Sequence, residues 1–95
     1  MVARVSTYEG AAGRLGELAR GFEQAGDAVR ELEGFEGAYL LVDRATGRAM
    51  TVALWSTSDA AEATAERVGH LRAEAVDFSE HWVTGVETYE VPAHI

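Results

Sequence analysis

Val2 to Tyr8 mixes β-branched and aromatic residues with polar ones in near alternation, a pattern that predicts a strand covered on one face. After the glycines at 10, 13 and 16 the period changes. Leu15, Leu18, Phe22, Ala25, Val29 and Leu32 recur at spacings of three and four and predict one apolar stripe along a helix that ends near Gly34. Arg14, Glu17, Arg20, Glu23, Asp27, Arg30 and Glu31 fill the solvated side. Gly16, Gly21 and Gly26 each weaken this helix by up to about 1 kcal/mol relative to Ala, so packing on a sheet has to hold it.

The next stretch contains two strand-like runs, AYLLVD and RAMTVALW, around the turn Arg44-Ala45-Thr46-Gly47, where Gly47 supplies the left-handed conformation of a tight hairpin. Ser58 or Asp59 then caps a second helix, with Glu62 three residues after Asp59 as in a capping box. Its stripe of Ala61, Thr64, Val68, Leu71 and Ala75 is small in volume, so this helix either lies close to the sheet or leaves space beneath itself. Aromatic and β-branched alternation returns from His81 to Val91, and Pro92 closes the run. The order is βαββαβ over one domain of residues 1–95, with no repeat or low-complexity segment.

Right-handed crossovers and a central hairpin make this order a ferredoxin-like α+β fold, a four-stranded antiparallel sheet with two helices on one face. The uncovered face carries Tyr39 and Leu41 or Leu40 and Val42, and Met50, Val52 and Leu54 or Thr51, Ala53 and Trp55, depending on register. Both sets are mostly apolar. A face of that kind is usually buried, which predicts a homodimer.

Composition narrows the function. Eight Arg, no Lys and sixteen acidic residues give a net charge of −8, a field that repels nucleic acid and anionic membrane surfaces. No apolar run is long enough to span a membrane and the first ten residues have no signal-peptide pattern, so a cytoplasmic protein is expected. Without Cys or Lys there are no disulfides, thiolate metal sites, Schiff bases or Walker-type phosphate loops.

The segment GAYLLVDRATGRAMTVALWSTSDA, Gly37 to Ala60, resembles the middle of the antibiotic biosynthesis monooxygenase-like family: a hydrophobic strand, an acidic and glycine turn, then a strand ending in Trp-Ser before a capped helix. The ends, VARVSTYE and TYEVPAHI, are also similar to that family's, so the likeness covers nearly the whole chain. The resemblance implies a protomer whose sheets pair into a dimeric α+β barrel. It also implies activities that include oxidation of polycyclic phenols to quinones without a cofactor, and haem degradation. The haem-degrading branch uses an Asn on the first strand and a Trp and His ten residues apart on the second helix. This chain has no Asn, and its second helix carries His70 without a Trp, so haem degradation is not expected. In the quinone-forming branch Trp55 matches a pocket Trp near the end of the third strand, and Thr51 stands where an amide side chain is expected.

Trp55 is therefore a candidate wall for a planar substrate, with a core or interface anchor as its other reading. Tyr8 and Tyr39 are candidate hydrogen-bond donors to a phenolate, or strand tyrosines with hydroxyls in water. His81 is the candidate general base, and Arg72, at the border of the second stripe, is the candidate for stabilising an anion or a packed stem with its head in water. Glu66, His70 and Glu74 share the helix face opposite the stripe and read as solvated surface, so no metal site is assigned. Two functions remain open: a cofactor-free monooxygenase acting on a small phenol or anthrone, and a non-catalytic dimer that binds a small molecule or a protein. The enzyme requires an enclosed space of about 300 Å³ beside Trp55, reached by an ionisable side chain, and a Trp55 that fills that space or sits in the dimer contact counts against it. A His or Arg converging there with a Tyr hydroxyl separates it from mere binding.

Overall fold

A computed structural model describes all 95 residues, Met1–Ile95. Strands β1 (Val2–Gly10), β2 (Phe35–Val42), β3 (Ala49–Trp55) and β4 (His81–Glu90) form one sheet in the order β2-β3-β1-β4, with every neighbouring pair antiparallel. Helices α1 (Leu15–Val29) and α2 (Ser58–Phe78) complete the ferredoxin-like βαββαβ order. Neither is long and apolar enough to cross a membrane.

Boundaries differ from expectation at three places. α1 stops at Val29 and not near Gly34, because Leu32 and Phe35 continue through tight turns, their N–H groups donating to the carbonyls of Val29 and Leu32. Leu32 nevertheless packs on the same core as the stripe, so the period survives the end of the helix. The N-cap of α2 is Thr57, one residue before the expected Ser58 or Asp59; its hydroxyl accepts from Ala60 N–H at 3.0 Å. β2 begins at Phe35, three residues earlier than the apolar run indicates.

The β2–β3 hairpin closes through Gly47 at φ +82°, and a Cβ there would lie 2.1 Å from the carbonyl oxygen of Gly10. The turn is thus seated on the end of β1. Asp43 shapes it from the other side by accepting from Ala45 N–H at 3.0 Å. That bond, with help from Thr46, holds the carboxyl below the usual aspartate range.

Register decides which residues face the helices. Val2, Arg4, Ser6 and Tyr8 pair with Trp55, Ala53, Thr51 and Ala49, and all eight lie on the helix side. Tyr39 and Leu41 pair with Val52 and Met50 on the opposite, uncovered side. Tyr39 is 61% exposed and Leu41 51%. Beneath the helices the core forms two clusters, one around Tyr8, Leu15, Leu18, Ala49 and Val76, the other around Val2, Val29, Trp55 and Ala61.

Candidate functional site

A cavity lies between the helices and the sheet, with Tyr8, Leu18 and Val76 of the first cluster and Val29 of the second in its wall. The wall is mainly hydrophobic, including Phe22, Phe35, Leu40, Val68 and Leu71. Helices α1 and α2 approach closely at Gly21, where a Cβ would meet that of Ala75 at 3.2 Å, and the short side chains of α2 leave room below this contact. The space measures about 90 Å³. That holds several waters and is smaller than the ~150 Å³ of a cavity that takes one benzene ring. The space is well short of the roughly 300 Å³ expected, and Phe22, Val68 and Leu71 are among the larger side chains that line it.

The floor is polar along one line. Arg4, Ser6 and Tyr8 follow one another at every second residue of β1, and Thr51 stands beside Ser6 on β3. Tyr8 Oη and Thr51 Oγ1 are 2.8 Å apart. Their bond uses one hydroxyl proton, so whichever group donates, the other keeps a proton free for a ligand. Ser6 is buried on this floor between Arg4 and Tyr8.

At the other end of the line Arg4 is 9% exposed. Its Nη1 donates to the carbonyl oxygen of Ala61, 3.0 Å away, joining β1 to the first turn of α2. Burial, followed by the charge of Arg72, pushes the Arg4 pKa below the ordinary guanidinium value, opposed by the charge of Glu62. Neither Arg4 nor Arg72 is among the ion pairs of the chain, which join Arg14 to Glu17 and Glu80, and Arg30 to Asp27. Two guanidinium groups therefore border an apolar space with no carboxylate in contact.

Thr51, Tyr8 and Arg72 are brought together as the sequence suggested, and Arg4 and Ser6 join them. Trp55, His81 and Tyr39 are not in the cavity wall. Trp55 is fully buried against Phe35, edge to face at 5.4 Å between ring centroids, with Val2 and Ala61 closing around it; its indole N–H is unpartnered. His81 is buried at the start of β4, its Nδ1 3.0 Å from the Ser79 carbonyl oxygen. Tyr39 lies on the far side of the sheet. His70 is on the exposed side of α2, so no histidine borders the cavity and the residues there offer no imidazole ligand to a haem iron.

No family model matches the chain. A segment of 48 residues, 50% of this chain, is 42% identical to the uncharacterised protein Rv2558 of Mycobacterium tuberculosis. That match spans 20% of the relative's length. Among solved structures, SnoaB, a cofactor-independent oxygenase from Streptomyces nogalater, superposes with a TM-score of 0.73 at 16% identity over 99% of this chain and 95% of its own. An antibiotic biosynthesis monooxygenase-like protein of Deinococcus radiodurans gives 0.73 at 19% over 100% and 96%. MhuD, a haem degrader from Mycobacterium tuberculosis whose structure holds two haems in its active site, gives 0.72 at 26% over 100% and 99%. With TM-scores of 0.72 to 0.73 and nearly complete mutual coverage, the chain shares the fold of the antibiotic biosynthesis monooxygenase-like proteins.

Proposed function

We propose that this protein is a cofactor-independent monooxygenase of small phenolic compounds, working as a homodimer with one site per protomer. The observation that carries the reading is the Tyr8–Thr51 hydroxyl pair on the floor of an apolar cavity that two arginines also border. It meets one of the two conditions set by the sequence, a Tyr hydroxyl converging with a cationic side chain; the other, a space of about 300 Å³ beside Trp55, is not met by the cavity at rest, which measures about 90 Å³ and is not lined by Trp55.

In this scheme the ring occupies the apolar space, and the free proton of the Tyr8–Thr51 pair is donated to the phenolic oxygen. The phenolic proton passes to water, and the positive charge of Arg4 and Arg72 favours the phenolate that remains. The ring carbon para to that oxygen then gives electrons to dioxygen. A carbon–oxygen bond forms, the resulting hydroperoxide takes up a proton, and loss of water leaves a quinone. One oxygen atom of dioxygen ends in the new carbonyl and the other in water, so phenol and dioxygen balance quinone and water with no further reductant. The protein contributes orientation, a dry cavity and anion stabilisation. Entry of a ring requires α2 to move outward from the sheet, since the space at rest is about 90 Å³.

The test is dioxygen uptake in an electrode chamber with 1-naphthol and no added cofactor. Protein-dependent uptake with quinone absorbance is expected, falling by about 10²-fold in Tyr8→Phe. A second reading, a small-molecule-binding dimer without chemistry, is favoured by the lack of any imidazole or carboxylate in the cavity wall to act as base. Tight naphthol binding with no uptake would decide for it.

A further inference from the structure

The positive end of the cavity is an anomaly in a chain of net charge −8. A buried guanidinium normally meets a carboxylate, because an uncompensated charge in a low-dielectric site is costly. Arg4 has five donor protons, and its one protein partner is the Ala61 carbonyl. Arg72 lines the same cavity, and its charge adds to burial in lowering the Arg4 pKa. Ser6, buried and next along the floor, adds a hydroxyl to the same wall. Arg4, Arg72 and Ser6 thus share the wall of one cavity, and neither arginine is in an ion pair.

We infer that the cavity is built for a compound that carries a permanent carboxylate, held by Arg4 and Arg72 with Ser6 as an additional donor, so that the substrate is an aromatic or otherwise apolar acid. The inference rests on the reading of the cavity as a ring-binding site and adds the acid to it. A planar carboxylate matches the donor fork of a guanidinium in two parallel bonds. Arg4 and Tyr8 are four residues apart on one strand, about 13 Å at the backbone. The acid is therefore bound at the Trp55 end of the site, and the phenolic oxygen at the Tyr8–Thr51 end. Two cations and one carboxylate still leave a net positive charge, which keeps the phenolate favoured. Neutral analogues of the same shape are rejected because they leave both arginines unpaired.

The experiment is calorimetric titration of the full chain at neutral pH with phenol, benzoate and benzamide, the last being a neutral match for benzoate in shape. Benzoate is expected to bind at least ~10-fold tighter than benzamide. Arg4→Gln and Arg72→Gln should each remove most of that preference. Arg72 is half-buried on a helix, so its substitution remains informative if Arg4→Gln fails to fold. Equal binding of benzoate and benzamide, or a preference that persists in Arg72→Gln, overturns the inference while phenol binding keeps the ring site standing. If none of the three binds, both readings fall.

Discussion

Alternate side chains of one strand supply most of the site: Val2 anchors the Trp55 cluster, and Arg4, Ser6 and Tyr8 form the cavity floor. Trp55 packs with Val2 on the same side of the sheet, beyond the Arg4 end of this floor, and Trp55→Ala should cost about 3–5 kcal/mol of stability, read from denaturant unfolding. Tyr8→Phe, by contrast, removes one hydroxyl and should change stability by no more than about 1.5 kcal/mol, which separates its effect on turnover from unfolding. Tyr8, Thr51 and Arg72 were legible as candidates because each has polar chemistry at a position the periods place on or beside an apolar face. Arg4 and Ser6 were not. Both alternation sets of β1 contain apolar residues, Val2 and Tyr8 in one and Ala3 and Val5 in the other, so the strand pattern alone does not say which set turns inward. The signal that was available is that Arg4 shares its set with Val2 and Tyr8. His81 followed from imidazole chemistry and position near a strand end, whereas the fold buries its ring against Gly10 at the far edge of β1.

Among the elements, the hairpin and the helix pair carry the constraints that shape the cavity. Gly47→Ala combines left-handed strain with a clash on the Gly10 carbonyl, and the variant should lose clearly more than the ~1 kcal/mol of the backbone conformation alone in a thermal melt. Asp43 adds a pH term to the same turn. Its folded pKa is depressed, so its contribution is present above the unfolded aspartate value and is lost as pH falls through the lower folded one. Asp43→Asn should therefore flatten the acid limb of the stability curve. Helix positions were readable from the 3.6-residue period, yet the end of α1 was not, because Leu32 keeps its place on the stripe through a turn that is no longer α-helical. The open space under α2 was foreshadowed by its small side chains, but its size depends on how far Phe22 and Leu71 reach from either helix, which no one-dimensional pattern encodes.

For the whole molecule, the accessible surface of 5925 Å² exceeds the roughly 5,300 Å² expected of a compact monomer of this mass. Much of the surplus is apolar: Tyr39, Leu41 and Tyr89 all stand exposed on the uncovered side of the sheet. Burial of about 800 Å² per protomer would bring such a face into the range of a stable dimer. Light scattering after size exclusion should give twice the 10.2 kDa chain mass, and Leu41→Asp should return it toward one. The most direct test of the central claim, that the cavity between helices and sheet is the ligand site, is a nuclear magnetic resonance titration of the labelled protein with benzoate. Amide shifts should concentrate at Arg4, Ser6, Tyr8, Thr51 and Arg72 and leave Tyr39 and Leu41 unmoved. Shifts confined to the outer face, or spread without focus, would contradict it.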